Sequence, residues 1–274
     1  MKNLKLLLGI ILGFVTLLGC LLFGDYLVGM FITTEPLVGL CELAIRLILM
    51  FISYFIIKKM YKKNIGPSAT NMIKGIFGYG AAMWIIIILN LIFDYKTPTV
   101  PIASAIPAMI GMFFSMMGTG VLEELAFRGF FFNAFLDRLG NTKKGVFASM
   151  MLSSSVFGLI HLINLINHPE LIISTSAQVI YAIMIGCFFC IVYYRTKNIW
   201  PVIILHGLVD FTGKFWDILN TAPEVDGSLL DGVIEVGVCV ILFVAAIIQL
   251  NKEFKGNENS TAGENSHNVD EIVC

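Results

Sequence analysis

Apolar residues along this chain come in blocks about twenty long, separated by short polar stretches. A helix rises about 1.5 Å per residue, so a block of about twenty crosses a hydrocarbon core about 30 Å thick. Eight blocks reach that length, at roughly 4–24, 36–57, 72–93, 104–134, 145–166, 171–194, 198–219 and 230–250. The pattern predicts an all-α fold: a polytopic membrane helical bundle of about eight transmembrane helices filling residues 1–250. The first block follows Lys2 and Lys5 but is longer than the apolar stretch of a signal peptide. It also lacks a small-x-small cleavage site, so it reads as a retained span. Residues 251–274 are rich in Asn, Ser, Glu and Gly and predict a disordered cytoplasmic tail.

Composition agrees. The chain is 57% hydrophobic and 14% charged, against about 25% charged residues in soluble domains. A net charge of −1 and the lack of a basic block argue against a nucleic-acid partner, leaving membrane lipid as the surroundings. Threading the spans with the N-terminus inside puts fourteen lysines and arginines on cytoplasmic ends and only Lys96 and Lys214 outside. That bias predicts an N-in, C-in multi-pass protein. Short loops and abundant Ile, Lys and Asn look bacterial, which points to a plasma membrane. The six cysteines show no disulfide or zinc spacing, and Cys187 and Cys190, inside an apolar run, read as packing residues.

The block at 104–134 would form a helix of about 46 Å. It either tilts and projects into the cytoplasm or breaks near Gly118 and Gly120.

A charge at the bilayer centre costs about 2.5–3.5 kcal/mol on insertion scales, so each one calls for a partner or a task. Glu42 and Arg46, four residues apart with the acid first, read as a self-neutralising structural pair. Glu124 and Arg128 repeat that spacing. Glu123 is turned by about 100° from its neighbour and has no partner on its own helix, which suits a general base. The bland alternative is a packing triad of two acids and an arginine. Phe157 and His161 share a helical face, as do His206 and Asp210. Either histidine alone reads equally as a satisfied core residue, and His168 and His267, in a loop and the tail, have no claim. Together, three helices offering a carboxylate, an imidazole and an imidazole–carboxylate pair suit water activation and oxyanion stabilisation. Glu123, His161 and His206 would equally serve as metal ligands.

The order E-E-x-x-x-R, F-x-x-x-H and H-x-x-x-D on successive helices, within residues 123–210, resembles the CPBP family. These are CAAX-protease and bacteriocin-processing enzymes, also called Abi or type II CAAX prenyl endopeptidase-like proteins. The resemblance implies a membrane-embedded endopeptidase acting on a peptide or protein substrate, with a motif core at 104–220. It implies that Glu123 and His161 activate water, that Glu124 and Arg128 support Glu123, and that His206 and residue 210 stabilise the oxyanion. Relatives often carry Asn where this chain has Asp210. An ionised Asp cannot donate a hydrogen bond, so the oxyanion role falls on His206, with Asp210 orienting it or assisting a metal. The family leaves open whether no cofactor is required or a divalent metal such as zinc takes part. Bacterial relatives are linked to peptide maturation and bacteriocin self-immunity.

Two other readings use the same residues: a proton-coupled transporter and a non-catalytic membrane scaffold or regulator. A transporter would show repeats and broken helices in matching halves, and a degenerate scaffold would have lost a motif residue. Neither sign is present in the sequence. One tension remains. Counted from the cytoplasmic flanks, Glu123 lies about 22 Å deep and His206 about 9 Å. A shared site therefore requires the fourth helix to project or tilt strongly.

Overall fold

The computed structural model describes residues 2–19, 26–62, 69–220 and 229–270, and every regular element among them is helical. Five of these helices are long and apolar enough to cross a membrane, or six when one bent pair counts as a single span. The chain is a helical membrane protein.

Among the described residues all eight apolar blocks are helical, but not all as single straight rods. Helix α1 is Lys2–Gly19 and α2 is Leu37–Tyr61; residues 20–24 of the first predicted span lie outside the described residues. The third block is bent. Asn71–Tyr79 and α3, Met83–Phe93, meet at 59°, where Gly80 donates its N–H to the Gly75 carbonyl at 2.7 Å and closes a wide turn. The seventh block is also broken. Helix α7, Trp200–Gly213, has only 14 residues, and the chain turns at Lys214 into the short helix Phe215–Leu219. Helix α5 is Lys143–Ile160, α6 is Ile172–Thr196 and α8 is Leu229–Asp270. The helical conformation of α8 thus runs on from its apolar span into the polar tail, of which residues 271–274 lie outside the described residues.

Helix α4, Ile102–Leu139, is the spine. Its 38 residues run without a break, about 57 Å at the helical rise. Gly118 and Gly120 do not break it; they let neighbours approach. A Cβ on Gly118 would stand 2.7 Å from the Arg46 guanidinium, and one on Gly120 would stand 2.7 Å from the Ile203 carbonyl. Small residues at crossings are the usual route to close helix contact in lipid, where no hydrophobic force drives helices together. Helix α4 packs on α2 and on α7, α5 packs on α6, and α6 packs on α8. The motif helices α5 and α7 both pack on α4, and α6 packs against α5.

The Glu42–Arg46 pair lies in the α2–α4 seam. Arg46 Nη1 is 3.8 Å from Glu42 Oε2 and donates to the Ser115 carbonyl at 3.0 Å, while the Ser115 hydroxyl donates to Glu42 at 2.5 Å. Both charges are spent on joining two helices. Cys187 and Cys190 are buried free thiols, in keeping with a packing role.

Candidate active site

Immediately after Glu123 and Glu124, α4 changes pitch. Residues Leu125–Phe132 form a π-helix, and all eight of its side chains or glycine positions are buried. Such wide turns are rare and occur often at functional sites. The carbonyls they displace need donors, and Asn133 supplies one: its amide donates to Arg128 O at 3.0 Å and Gly129 O at 2.9 Å, and lies 2.9 Å from the Tyr193 hydroxyl.

Glu124 and Arg128 form the expected pair, Nη1 to Oε1 at 2.9 Å, both fully buried. The arginine is clamped further. Its Nη2 donates to the Gly186 carbonyl at 3.0 Å, and its guanidinium lies over the rings of Phe157 and Phe189 at 5.1 and 5.3 Å. Glu124 also does something the spacing did not foretell. Its Oε1 accepts a hydrogen bond from His206 Nδ1 at 2.7 Å, across from α7. One carboxylate oxygen thus ties the arginine to the histidine.

That bond fixes the rest. With Nδ1 directed at Glu124, His206 Nε2 faces the other way, 3.5 Å from Glu123 Oε2 and 3.4 Å from Asp210 Oδ2. Glu124 holds the ring at Nδ1, and Asp210 meets it at Nε2. The Phe189 ring stacks on the imidazole at 5.5 Å. Nε2 and two carboxylate oxygens face one another, and a neutral Nε2 with two ionised acids would be three acceptors with no donor. The arrangement is built to hold a proton among them.

His161 approaches from α5. It ends that helix, and its Nδ1 donates to the Phe157 carbonyl at 3.0 Å, which leaves Nε2 as the acceptor of a neutral ring. The Phe157 ring touches both imidazoles, His161 at 5.3 Å and His206 at 5.9 Å between centroids. All six predicted residues thus meet around Phe157 and His206. Glu123 and His206 thus share one site although their counted depths differ, with α4 running unbroken for 38 residues.

The cluster has a closed side and an open side. Glu124, Arg128 and His206 are buried, whereas the side chains of Glu123 and Asp210 are 24% and 28% exposed. The open side is lined by Glu123, Asp210 and the half-buried His161. A metal fits less well. Among the described residues no three His, Cys, Asp or Glu side chains are grouped so as to hold an ion, and Glu123, His161 and His206 do not form such a shell.

Residues 105–212 match the model of the Rce1-like type II CAAX prenyl endopeptidases. This region is a CAAX-protease family domain. No curated protein and no solved structure matches the chain. Members of the CAAX-protease family are peptidases, and the matched region contains all of Glu123, Glu124, Arg128, His161, His206 and Asp210. It also contains partners that the sequence reading passed over. Asn133 had a signal, as an amide five residues beyond Arg128 in an apolar run. Phe189 and the Gly186 carbonyl had none, since nothing separates them from the other rings and glycines of α6.

Proposed function

We propose that this chain is a bacterial intramembrane endopeptidase that hydrolyses a membrane-associated peptide with a water molecule activated at Glu123. The observation that carries the reading is the pair of opposed contacts on His206, Nδ1 on Glu124 and Nε2 between Glu123 and Asp210. A water held by Glu123 and His161 gives its proton to Glu123 as its oxygen attacks the scissile carbonyl carbon. The carbonyl oxygen becomes the oxyanion and accepts from His206 Nε2–H, with Asp210 balancing the imidazolium charge. Collapse breaks the C–N bond, and the proton on Glu123 passes to the departing amine. Glu124 and Arg128 hold His206 in the required orientation and do not themselves touch substrate.

The proposal includes eight spans with both termini in the cytoplasm, from the lysine and arginine bias. It also includes a role in peptide maturation or bacteriocin self-immunity. The test is cleavage of a panel of membrane peptides by purified protein in lipid discs. Glu123→Ala and His206→Ala should each lose at least about a hundred-fold in rate, the usual weight of a positioned acid–base group. Cleavage by both variants at the wild-type rate would overturn the assignment.

A further inference from the structure

Glu235 is an acid that the chemistry above leaves unused. It lies six residues into the apolar span Leu229–Lys255 of α8, with its side chain exposed at the helix surface, and an acid within an apolar span is by default a functional candidate. The charged groups around it are Asp94 and Asp231, both acids, and no ion pair joins it to a described cation. Glu235 lines a cavity of about 330 Å³ together with Ile163, Asn164, His168, Gln178 and Tyr181.

The cavity adjoins the catalytic cluster. The turn His161–Ile163 is the seam between them, with His161 against Phe157 on one side and Ile163 lining the cavity on the other. Tyr181 forms another shared wall: it packs with the cluster that contains Phe157 and lies within electrostatic range of both Glu235 and Asp210.

The lining also has a chemical bias. One Asn164 amide N–H is given to Gln178 Oε1 at 3.1 Å, and the Ser174 hydroxyl is given to the Leu171 carbonyl at 3.1 Å. His168, the one basic side chain lining the cavity, is paired with Glu170 at 3.1 Å. The rest of the lining is polar and neutral, the Gln178 amide and the Thr175 and Tyr181 hydroxyls, with Glu235 as its carboxylate. The volume is near the lower end, roughly 300 Å³, of sites that enclose small ligands, which suits one long side chain.

We propose that this cavity seats a cationic side chain, a lysine ammonium or an arginine guanidinium, of the peptide cut at the Glu123–His206 centre, with Glu235 as its counter-ion. The proposal rests on the peptidase reading and adds the substrate class: peptides with a basic residue near the scissile bond.

The test measures binding apart from cleavage. The full chain carrying Glu123→Gln, in lipid discs, is titrated with a fluorescent transmembrane peptide bearing one lysine and with its norleucine counterpart. The lysine peptide should bind about ten-fold tighter, the weight of one charge-assisted contact, and adding Glu235→Gln should remove that preference. Glu235→Lys should invert it in favour of a glutamate-bearing peptide. Equal binding of the lysine and norleucine peptides, or a lysine preference that survives both substitutions, overturns the proposal. The two readings separate cleanly. Wild-type protein that cleaves no peptide, yet prefers lysine through Glu235, overturns the peptidase reading and supports the cation seat. Cleavage with no lysine preference overturns the cation seat alone.

Discussion

Glu124 and His206 are 82 positions apart in sequence, and the acid's Oε1 accepts the imidazole Nδ1–H at 2.7 Å while also pairing with Arg128. This single oxygen divides the two neighbouring glutamates into different jobs. Glu124 is sealed in and committed to two donors, whereas Glu123 is partly exposed and, among the described residues, reaches only His206 Nε2, at 3.5 Å.

The first prediction follows from that division. Glu124→Gln leaves Arg128 buried without its counter-charge, which costs about 3–5 kcal/mol when one partner of a buried pair is removed. The variant should unfold at a clearly lower temperature and cleave poorly. Glu123→Gln breaks no buried ion pair with an arginine, so it should abolish cleavage while leaving the thermal midpoint nearly unchanged. Thermal unfolding in detergent beside a cleavage assay separates them, and equal loss of stability in both would refute the division of roles.

Arg128→Lys should behave as a radical change. A lysine keeps the charge but loses the planar fork that reaches Glu124 and Gly186 together, and the flat face that lies over Phe157 and Phe189. Stability should fall by about 2–3 kcal/mol, the scale of a charged hydrogen bond together with a desolvated cation–π contact. Chemical denaturation checks this, and a lysine variant as stable as wild type would show that the guanidinium geometry is unimportant.

Much of this site was legible in the sequence because its parts are local. Spacing of four residues on a helix is a geometric fact, so Glu42–Arg46, Glu124–Arg128, Phe157–His161 and His206–Asp210 can be paired from the chain alone. The apolar blocks likewise announce a helical membrane protein. What could not be read were relations between helices. Whether His206 turns Nδ1 or Nε2 to an acid depends on how α7 crosses α4, and that is set by Gly120 and Gly207, whose small size has no unique reading among the chain's 25 glycines. The bend before α3, the short α7 and the π-helix were hidden for a different reason: an apolar run looks the same whether its helix is straight, broken or wide.

The π-helix gives the third prediction. Asn133→Leu removes the donor that serves the Arg128 and Gly129 carbonyls and buries an apolar side chain against them. An unsatisfied buried polar group costs about 1–3 kcal/mol, so the variant should be destabilised by about that amount. Because the wide turn carries Arg128, kcat should drop more than KM rises. Asn133→Gln, which keeps the amide, should recover part of the rate. Steady-state kinetics on the three proteins would decide it, and an Asn133→Leu enzyme with unaltered kcat would count against coupling between the turn and the site.

The crossing of α4 and α7 gives the last. A Cβ on Gly120 would meet the Ile203 carbonyl at 2.7 Å and the Gly207 amide nitrogen at 3.2 Å, both backbone atoms that cannot swing aside. Gly120→Ala must therefore push α7 away from α4, and with it His206 from Glu123 and Glu124, three and four residues further along. Overpacking of this kind costs about 1–3 kcal/mol, but the loss in activity should be larger than that suggests, because a misplacement of about 1 Å at a catalytic contact costs about a hundred-fold. Gly237→Ala, where a Cβ would meet nothing within 4 Å, is the matched control and should cleave and unfold like wild type. Cleavage rates and unfolding midpoints of the two alanine variants test the claim together. If Gly120→Ala retains full cleavage, the close approach of the two helices is not what holds His206 between its acids.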